Sequence, residues 1–208
     1  GDRGRRDDRS RQGDRGRPHQ SNGGERRPAR GAITVGDEPG AELPKWIRDE
    51  VRLSTPKDRV QPTLALLQDA AYGFAAGKYR QVAPKLEEAK KLSSRAATIR
   101  ELLGLTYYRM EQWDDALREM RAFRRLAGET THMAIELDAL RALGRREDVE
   151  KTWALMQELG SQGQAKSEAK VVYASFLIEQ GEAKRAWRIV QPGRLHPEAP
   201  EHVVREWY

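Results

Sequence analysis

The chain has 208 residues, of which 38% are hydrophobic and 34% are charged, and its formal net charge at pH 7 is +6. It contains no cysteine, which excludes disulfides, thiolate nucleophiles and thiolate metal sites. No apolar run approaches the roughly 18 residues that span a bilayer, and no signal-peptide pattern opens the chain, so we expect a cytoplasmic protein.

The first 32 residues form a basic arm with seven Gly, two Pro and no aromatic, Leu, Ile, Val or Met. Such a segment has no apolar side chains whose burial could offset the entropy of ordering it, so we expect it to be disordered. Together with a linker it forms a predicted tail over residues 1–42, followed by a helical domain over residues 43–208. The arm holds ten Arg against five acidic residues, whereas the remainder has 28 basic and 27 acidic residues.

The arm resembles the Arg/Gly-rich and Arg/Asp-rich tails of RNA-associated proteins. Arginine pairs with phosphate and stacks on bases, and a flexible chain can follow an irregular RNA. The interspersed acidic residues reduce that attraction, so two interpretations remain open: a solubilising tail, or weak RNA contact without sequence preference. The candidate RNA-contacting residues are Arg3, Arg5, Arg6, Arg9, Arg11, Arg15, Arg17, Arg26, Arg27 and Arg30.

From Leu43 to Tyr208 the apolar residues follow the i, i+3, i+4 spacing of helices, and no stretch alternates with period two. The pattern predicts an all-α body that starts with a helix near residues 44–53 and closes with a capping helix over 197–208. Between them, four further apolar helices are predicted near 62–76, 98–111, 131–143 and 168–180.

An apolar set of four positions recurs along the body. Each set follows a short turn after one of the four apolar helices, so each unit consists of helix, turn and helix, and the steps are 34, 33 and 37 residues. The last step is longer because of a predicted loop over residues 160–164. The four sets are Tyr79, Val82, Leu86, Ala89; Trp113, Ala116, Met120, Phe123; Arg146, Val149, Trp153, Met156; and Ala183, Ala186, Val190, Gly193.

The second unit carries Leu103-Gly104-x2-Tyr107 and then Ala116-x3-Met120. With these residues the chain resembles the tetratricopeptide repeat family, whose pattern is W-x2-L-G-x2-Y followed by A-x3-F. The resemblance implies a right-handed superhelix of about four helical hairpins with a C-terminal capping helix. In that pattern the small residue allows the two helices of a hairpin to approach closely. The whole chain is also similar to tail-plus-repeat proteins of high-GC Actinobacteria.

The resemblance further implies that the first helix of each unit lines a concave groove that holds an extended peptide or a partner helix. We therefore expect a non-enzymatic interaction scaffold; the alternative is an RNA- or ribosome-associated factor that uses the arm. A merely solvated face is the plainer interpretation of the same residues. The groove residues predicted by the repeat phase are Gln68, Ala71, Ala75, Glu101, Leu105, Tyr108, Arg109, Ala134, Asp138, Arg141, Ser175 and Glu179.

No residue pattern indicates an enzyme, a cofactor or a metal site. The four histidines (19, 132, 196 and 202) never fall at the i, i+4 spacing of a helical metal site, and His132 is expected to cap or solvate a helix. Phosphate-loop and nucleophile-elbow motifs are also missing from the sequence. The aromatic residues lie in the packing phase of the repeat, and the ones expected in the core are Tyr107, Trp113, Phe123, Trp153 and Trp187.

Overall fold

The computed structural model describes residues 42–161 and 163–191, and within these ranges the only regular secondary structure is helical. The prediction of an all-α body is confirmed there. The basic arm and the predicted closing helix over 197–208 lie outside the described residues. The helices are α1 (Lys45–Ser54), α2 (Val60–Ala75), α3 (Tyr79–Leu92), α4 (Ala97–Arg109), α5 (Trp113–Ala127), α6 (Met133–Ala142), α7 (Arg146–Leu159), α8 (Gly163–Glu179) and α9 (Ala183–Val190), with a 3-10 turn at Lys57–Arg59 before α2.

Consecutive helices pack as four pairs, α2 with α3, α4 with α5, α6 with α7 and α8 with α9. Within each pair a three-residue turn joins the helices, and the second helix begins at Tyr79, Trp113, Arg146 or Ala183. These are the first positions of the four predicted apolar sets, so the internal period located the start of every second helix. The described part of the chain is therefore a helical array built from repeated hairpins.

The turns of the four pairs share one backbone feature, a residue with positive φ. Three of these residues are glycines, Gly77, Gly144 and Gly181, while the second pair has Glu111 at φ 58°. A side chain with a Cβ is disfavoured in this left-handed region. The second turn consequently places a carboxylate where the other turns have only a hydrogen atom.

The small residue of the second unit has the role that the repeat pattern predicts. A Cβ on Gly104 would lie 2.6 Å from Cε of Met120 and 3.3 Å from Cβ of Glu119. Both neighbours belong to α5, so α4 and α5 approach each other too closely for a larger residue at this point. In the first unit Ala70 is fully buried at the corresponding position.

Two apolar clusters divide the array. The N-terminal core runs from Leu43 to Leu103 and joins α1 to α2, α3 and α4. The C-terminal core runs from Leu117 to Ala186 and joins α5 to the last four helices. Because each pair buries apolar surface only against its neighbours, the stability of the array depends on the contacts between pairs.

A buried carboxylate links the two cores. Glu119 in α5 is fully buried and accepts hydrogen bonds from Nζ of Lys90 in α3 at 3.0 Å and from Nη1 of Arg100 in α4 at 2.7 Å. Burial by itself raises the pKa of Glu119, but the hydrogen bonds from Arg100 and Lys90 outweigh it and leave the pKa below its ordinary value. Glu136 in α6 is likewise buried, and Nε of Arg124 donates to it at 2.9 Å.

Two predictions about the last units are wrong. The loop expected over residues 160–164 is shorter, since α8 already begins at Gly163. The longer spacing between the last two units therefore comes from a longer helix and not from a longer loop. Trp187, expected in the core, is 62% exposed. The packed side of α9 is formed instead by Ala186, Ile189 and Val190, because a terminal helix has a neighbour on one side only among the described residues.

The other aromatic residues agree better with the expectation. Phe123 is buried. Tyr107 packs partly buried against the N-terminal core, and Trp113 and Trp153 do so against the C-terminal core.

Candidate functional site

Four of the predicted groove residues form one polar network across the first helices of units two, three and four. The hydroxyl of Tyr108 in α4 donates to Oδ2 of Asp138 in α6 at 2.5 Å. Arg141, one turn further along α6, donates to Oδ1 of Asp138 from Nε at 2.9 Å and from Nη2 at 2.7 Å. Its Nη1 reaches Oε1 of Glu179 in α8 at 2.5 Å. We call Tyr108, Asp138, Arg141 and Glu179 the groove network.

The groove network becomes more accessible from α6 towards α8. The side chain of Asp138 is 17% exposed, that of Arg141 30% and that of Glu179 47%. Burial, followed by the hydrogen bond to Asp138, raises the pKa of Tyr108 to about 12, so this hydroxyl remains a donor at neutral pH. Its ring lies edge-on against Trp113, with 5.5 Å between ring centroids.

Two more predicted groove residues, Leu105 and Ser175, are half-buried on the helices that carry Tyr108 and Glu179. The hydroxyl of Ser175 donates to the carbonyl oxygen of Val171 at 2.9 Å, which is a bond within α8. Leu105 gives α4 an apolar position one turn before Tyr108. Together with the groove network they make a mainly polar surface with one apolar contact point.

At Gln68 and Ala71, the part of the predicted groove in unit one is not open. Oε1 of Gln68 accepts a hydrogen bond from the backbone N–H of Leu43 at 2.9 Å, and Ala71 is 2% exposed within the N-terminal core. Ile47 and Val51 on α1 are fully buried in the same core. The apolar stripe of α1 therefore covers α2, and Ala71 is a core residue, contrary to the prediction.

Helix α1 also reaches the start of α4. Oε1 of Glu50 accepts from the backbone N–H of Thr98 at 2.9 Å, and Oε2 accepts from the hydroxyl of Thr98 at 2.7 Å. The first N–H groups of a helix have no partner within the helix, so this carboxylate takes the role of a capping side chain. A second contact lies just after α1, where the Thr55 hydroxyl donates at 2.6 Å to Oγ of Ser93, the residue that follows α3.

Glu101, also predicted in the groove, is buried at the junction between units two and three. Its Oε1 lies 2.8 Å from Nε2 of His132, the residue that precedes α6. The His132 ring packs on Phe123 with 5.3 Å between centroids. His132 thus stands at a helix start, as expected, but its side chain pairs with Glu101 instead of capping the helix.

Of the three remaining predicted groove residues, Ala134 disagrees with the prediction, whereas Ala75 and Arg109 are exposed. Ala134 is buried and Ala75 is exposed at the end of α2. Arg109 lies at the hairpin turns and lines a separate cleft of about 590 Å³ between the turns of units one and two. Sequence reasoning missed this cleft because its two walls are about 30 residues apart in the chain. Its lining includes the charged and aromatic side chains of Lys78, Tyr79, Arg80, Arg109 and Glu111, together with Gln81.

Across residues 42–161 and 163–191, no three His, Asp or Glu side chains are grouped so that they could hold a metal ion. None of the helices in these ranges combines the length and the apolar character needed to cross a membrane. His19, His196, His202 and the ten arginines of the arm lie outside the described residues.

Comparison with known proteins gave no relative. No protein-family model matches the chain, and neither a curated protein nor a solved structure matches it.

Proposed function

We propose that this protein is a non-catalytic interaction scaffold with a tetratricopeptide-like right-handed superhelix, which binds a partner protein along the groove network. The observation that supports this proposal is the continuity of the network. One hydrogen-bonded series runs from Tyr108 through Asp138 and Arg141 to Glu179 and crosses the first helices of three successive pairs. Such a surface presents regularly spaced polar groups to an extended segment of another protein.

The charges of the groove network indicate how a partner would be held. Arg141 and Glu179 form an ion pair while both remain partly exposed, so groups of a partner can reach them. A partner carboxylate can replace Glu179 at Arg141, and a partner cation can then pair with Glu179. Asp138 is less exposed than either and accepts two hydrogen bonds from Arg141, and Tyr108 donates to the other oxygen of the same carboxylate. Leu105 supplies an apolar contact at the end nearest α4.

The helix α1 limits the extent of this surface. Because α1 and the backbone of Leu43 cover Gln68 and Ala71, the first unit contributes a structural contact in place of a binding surface. The proposed groove therefore runs over α4, α6 and α8. A partner segment that binds there lies along three helices, which suits an extended peptide or one partner helix.

The proposal is tested by affinity capture from native lysate, with the full chain and residues 33–208 as baits and with or without ribonuclease. The groove variant is Tyr108→Phe with Arg141→Gln, which removes the hydroxyl and the charge but keeps most of the packing. The matched control is Glu147→Ala with Lys151→Ala, an ion pair on α7 whose side chains are 90% and 72% exposed.

We expect the same few proteins on both unmodified baits and on the control variant, insensitive to ribonuclease, and their loss on the groove variant. Equal recovery by the groove variant and the control would contradict the proposal. Ribosomal proteins that are recovered by the full chain only, and lost with ribonuclease, would support the alternative function, RNA association through the arm, because that binding requires the ten arginines.

A further inference from the structure

The cleft between the hairpin turns of units one and two combines cations with a shape that can hold a ligand. Its volume of about 590 Å³ lies within the range of small-ligand clefts, about 300–1,000 Å³. Lys78, in the first hairpin turn, and Arg80, in α3, line one side of the cleft. Arg109, at the end of α4, lines the other side. All three side chains are exposed, and none of them forms an ion pair with a carboxylate of the described residues.

The charge of this cleft exceeds what the body of the protein would supply on average. Glu111 is the single acidic residue in its lining, so the lining has a net charge of +2. Residues 33–208 as a whole hold 28 basic and 27 acidic side chains. Other cations of the helices are compensated, as Lys90 and Arg100 are by Glu119. Unpaired cations gathered at one cleft produce a local positive potential that attracts an anion.

The remaining lining favours a nucleic acid over an acidic protein. Tyr79 offers an aromatic ring, which is held edge-on against Phe74 at 5.3 Å between centroids and is half-buried. Gln81 and Gln112 contribute side-chain amides, which can donate to and accept from base edges. Cations for phosphates, an aromatic ring for stacking and amides for base edges are the usual components of single-strand binding surfaces.

We propose that this cleft binds the phosphate backbone of single-stranded RNA, with Lys78, Arg80 and Arg109 as the phosphate contacts and Tyr79 as a stacking surface. The inference does not depend on the groove network being a protein-binding site. It is also separate from the basic arm, since every residue that it uses belongs to the first two hairpins.

The test measures fluorescence anisotropy of a labelled oligouridylate of about 12 nucleotides, a length within the usual single-strand site sizes, against the full chain over a series of salt concentrations. The cleft variant is Lys78→Glu, Arg80→Glu and Arg109→Glu. The matched control is Lys57→Glu, Arg95→Glu and Lys166→Glu, three exposed cations near the starts of α2, α4 and α8, away from the hairpin turns. Both variants change the net charge equally and keep the arm intact.

We expect the cleft variant to weaken binding at least about tenfold and the control variant to weaken it much less. The slope of log K against log salt should fall in magnitude by about 2 in the cleft variant, since each lost phosphate contact on a single strand contributes about 0.7. Equal losses in the two variants, or no loss in either, would overturn the proposal, because binding would then belong to the arm or to net charge alone.

A neutral variant and a competition experiment separate loss of phosphate contacts from charge repulsion. The neutral variant Lys78→Gln, Arg80→Gln and Arg109→Gln, checked by circular dichroism, should also lose affinity; if it binds like the unmodified chain while the Glu variant does not, repulsion explains the loss and the proposal fails. Competition by an oligoglutamate peptide should be weak. If this peptide or uridine monophosphate displaces the oligonucleotide at equal charge concentration, the cleft is not a site for an RNA strand.

Discussion

The two ends of the helical array are covered differently. At the N-terminal end, α1 lies against α2 with Ile47 and Val51 fully buried. At the C-terminal end, α8 and α9 leave Val171, Ile178 and Trp187 exposed at 44%, 62% and 62%. A hairpin repeat buries its apolar faces only against neighbours, so the outer face of a terminal pair requires a covering element. Among the described residues the chain supplies such an element at the N-terminal end only.

The largest effect is expected from weakening α1. Ile47→Ala should lower the free energy of unfolding by about 3 kcal/mol, since it removes three buried carbon atoms and leaves a cavity in the N-terminal core. Urea denaturation followed by circular dichroism measures this change. Leu53→Ala on the same helix is the control; Leu53 is 89% exposed, and its loss should stay below about 0.5 kcal/mol. If the two variants are equally stable, α1 does not cover the array.

The next largest loss of stability is expected at Glu119, the buried carboxylate that links the two apolar cores. Glu119→Gln removes the charge that Lys90 and Arg100 share, and we expect a loss of about 2 kcal/mol because the interior carboxylate is replaced by a weaker acceptor. The exposed Glu88→Gln on α3 is the control, with little expected change. A single cooperative urea transition in every variant would indicate that both ends unfold together, whereas two transitions in Glu119→Gln would indicate that this carboxylate couples them.

The same carboxylate makes stability depend on pH. The pKa of Glu119 is lowered in the folded state, so the unfolded chain binds a proton more readily than the folded one. The stabilisation is therefore complete above the unfolded pKa of about 4.3 and is lost as the pH falls through the folded value. Comparing urea midpoints at neutral pH and below pH 4, we expect a larger drop in the unmodified protein than in Glu119→Gln. Equal drops would assign the acid sensitivity to other groups.

A smaller effect is expected at the contact between α1 and the start of α4. Glu50→Ala deprives the Thr98 N–H and hydroxyl of their acceptor, and losses for capping groups are about 1 kcal/mol. Asp49→Ala is the control, because among the residues that the structure describes this carboxylate pairs with Arg52 alone, at an exposed i, i+3 position. The two variants are compared by thermal and urea unfolding. A Glu50→Ala protein as stable as Asp49→Ala would show that α1 is held by its apolar contacts alone.

Local features of the fold could be predicted from the sequence, whereas contacts between distant segments could be predicted only in part. The starts of α3, α5, α7 and α9 were predictable because turns and apolar periodicity are local signals. The groove network was partly predictable, since the repeat phase brings positions about 34 residues apart to one face. The packing of α1 over Gln68 and Ala71 was not predictable, because an amphipathic pattern shows that a helix has an apolar face but not which neighbour that face packs against. Neither was the burial of Glu101, whose partner His132 comes from the next unit.

The smallest effect on stability is expected at Trp187, on the exposed C-terminal end of the array. This residue also tests directly whether the C-terminal end is left uncovered. Trp187→Ala should change the free energy of unfolding by less than about 0.5 kcal/mol if its face meets only solvent. Ala186→Gly, on the packed side of the same helix, should cost more, about 1 kcal/mol for the backbone alone. A loss above about 2 kcal/mol in Trp187→Ala would mean that the face is covered in solution. If that loss grows with protein concentration, the cover is a second copy of the chain; if it does not, the cover belongs to the same chain, because only an intermolecular contact follows mass action.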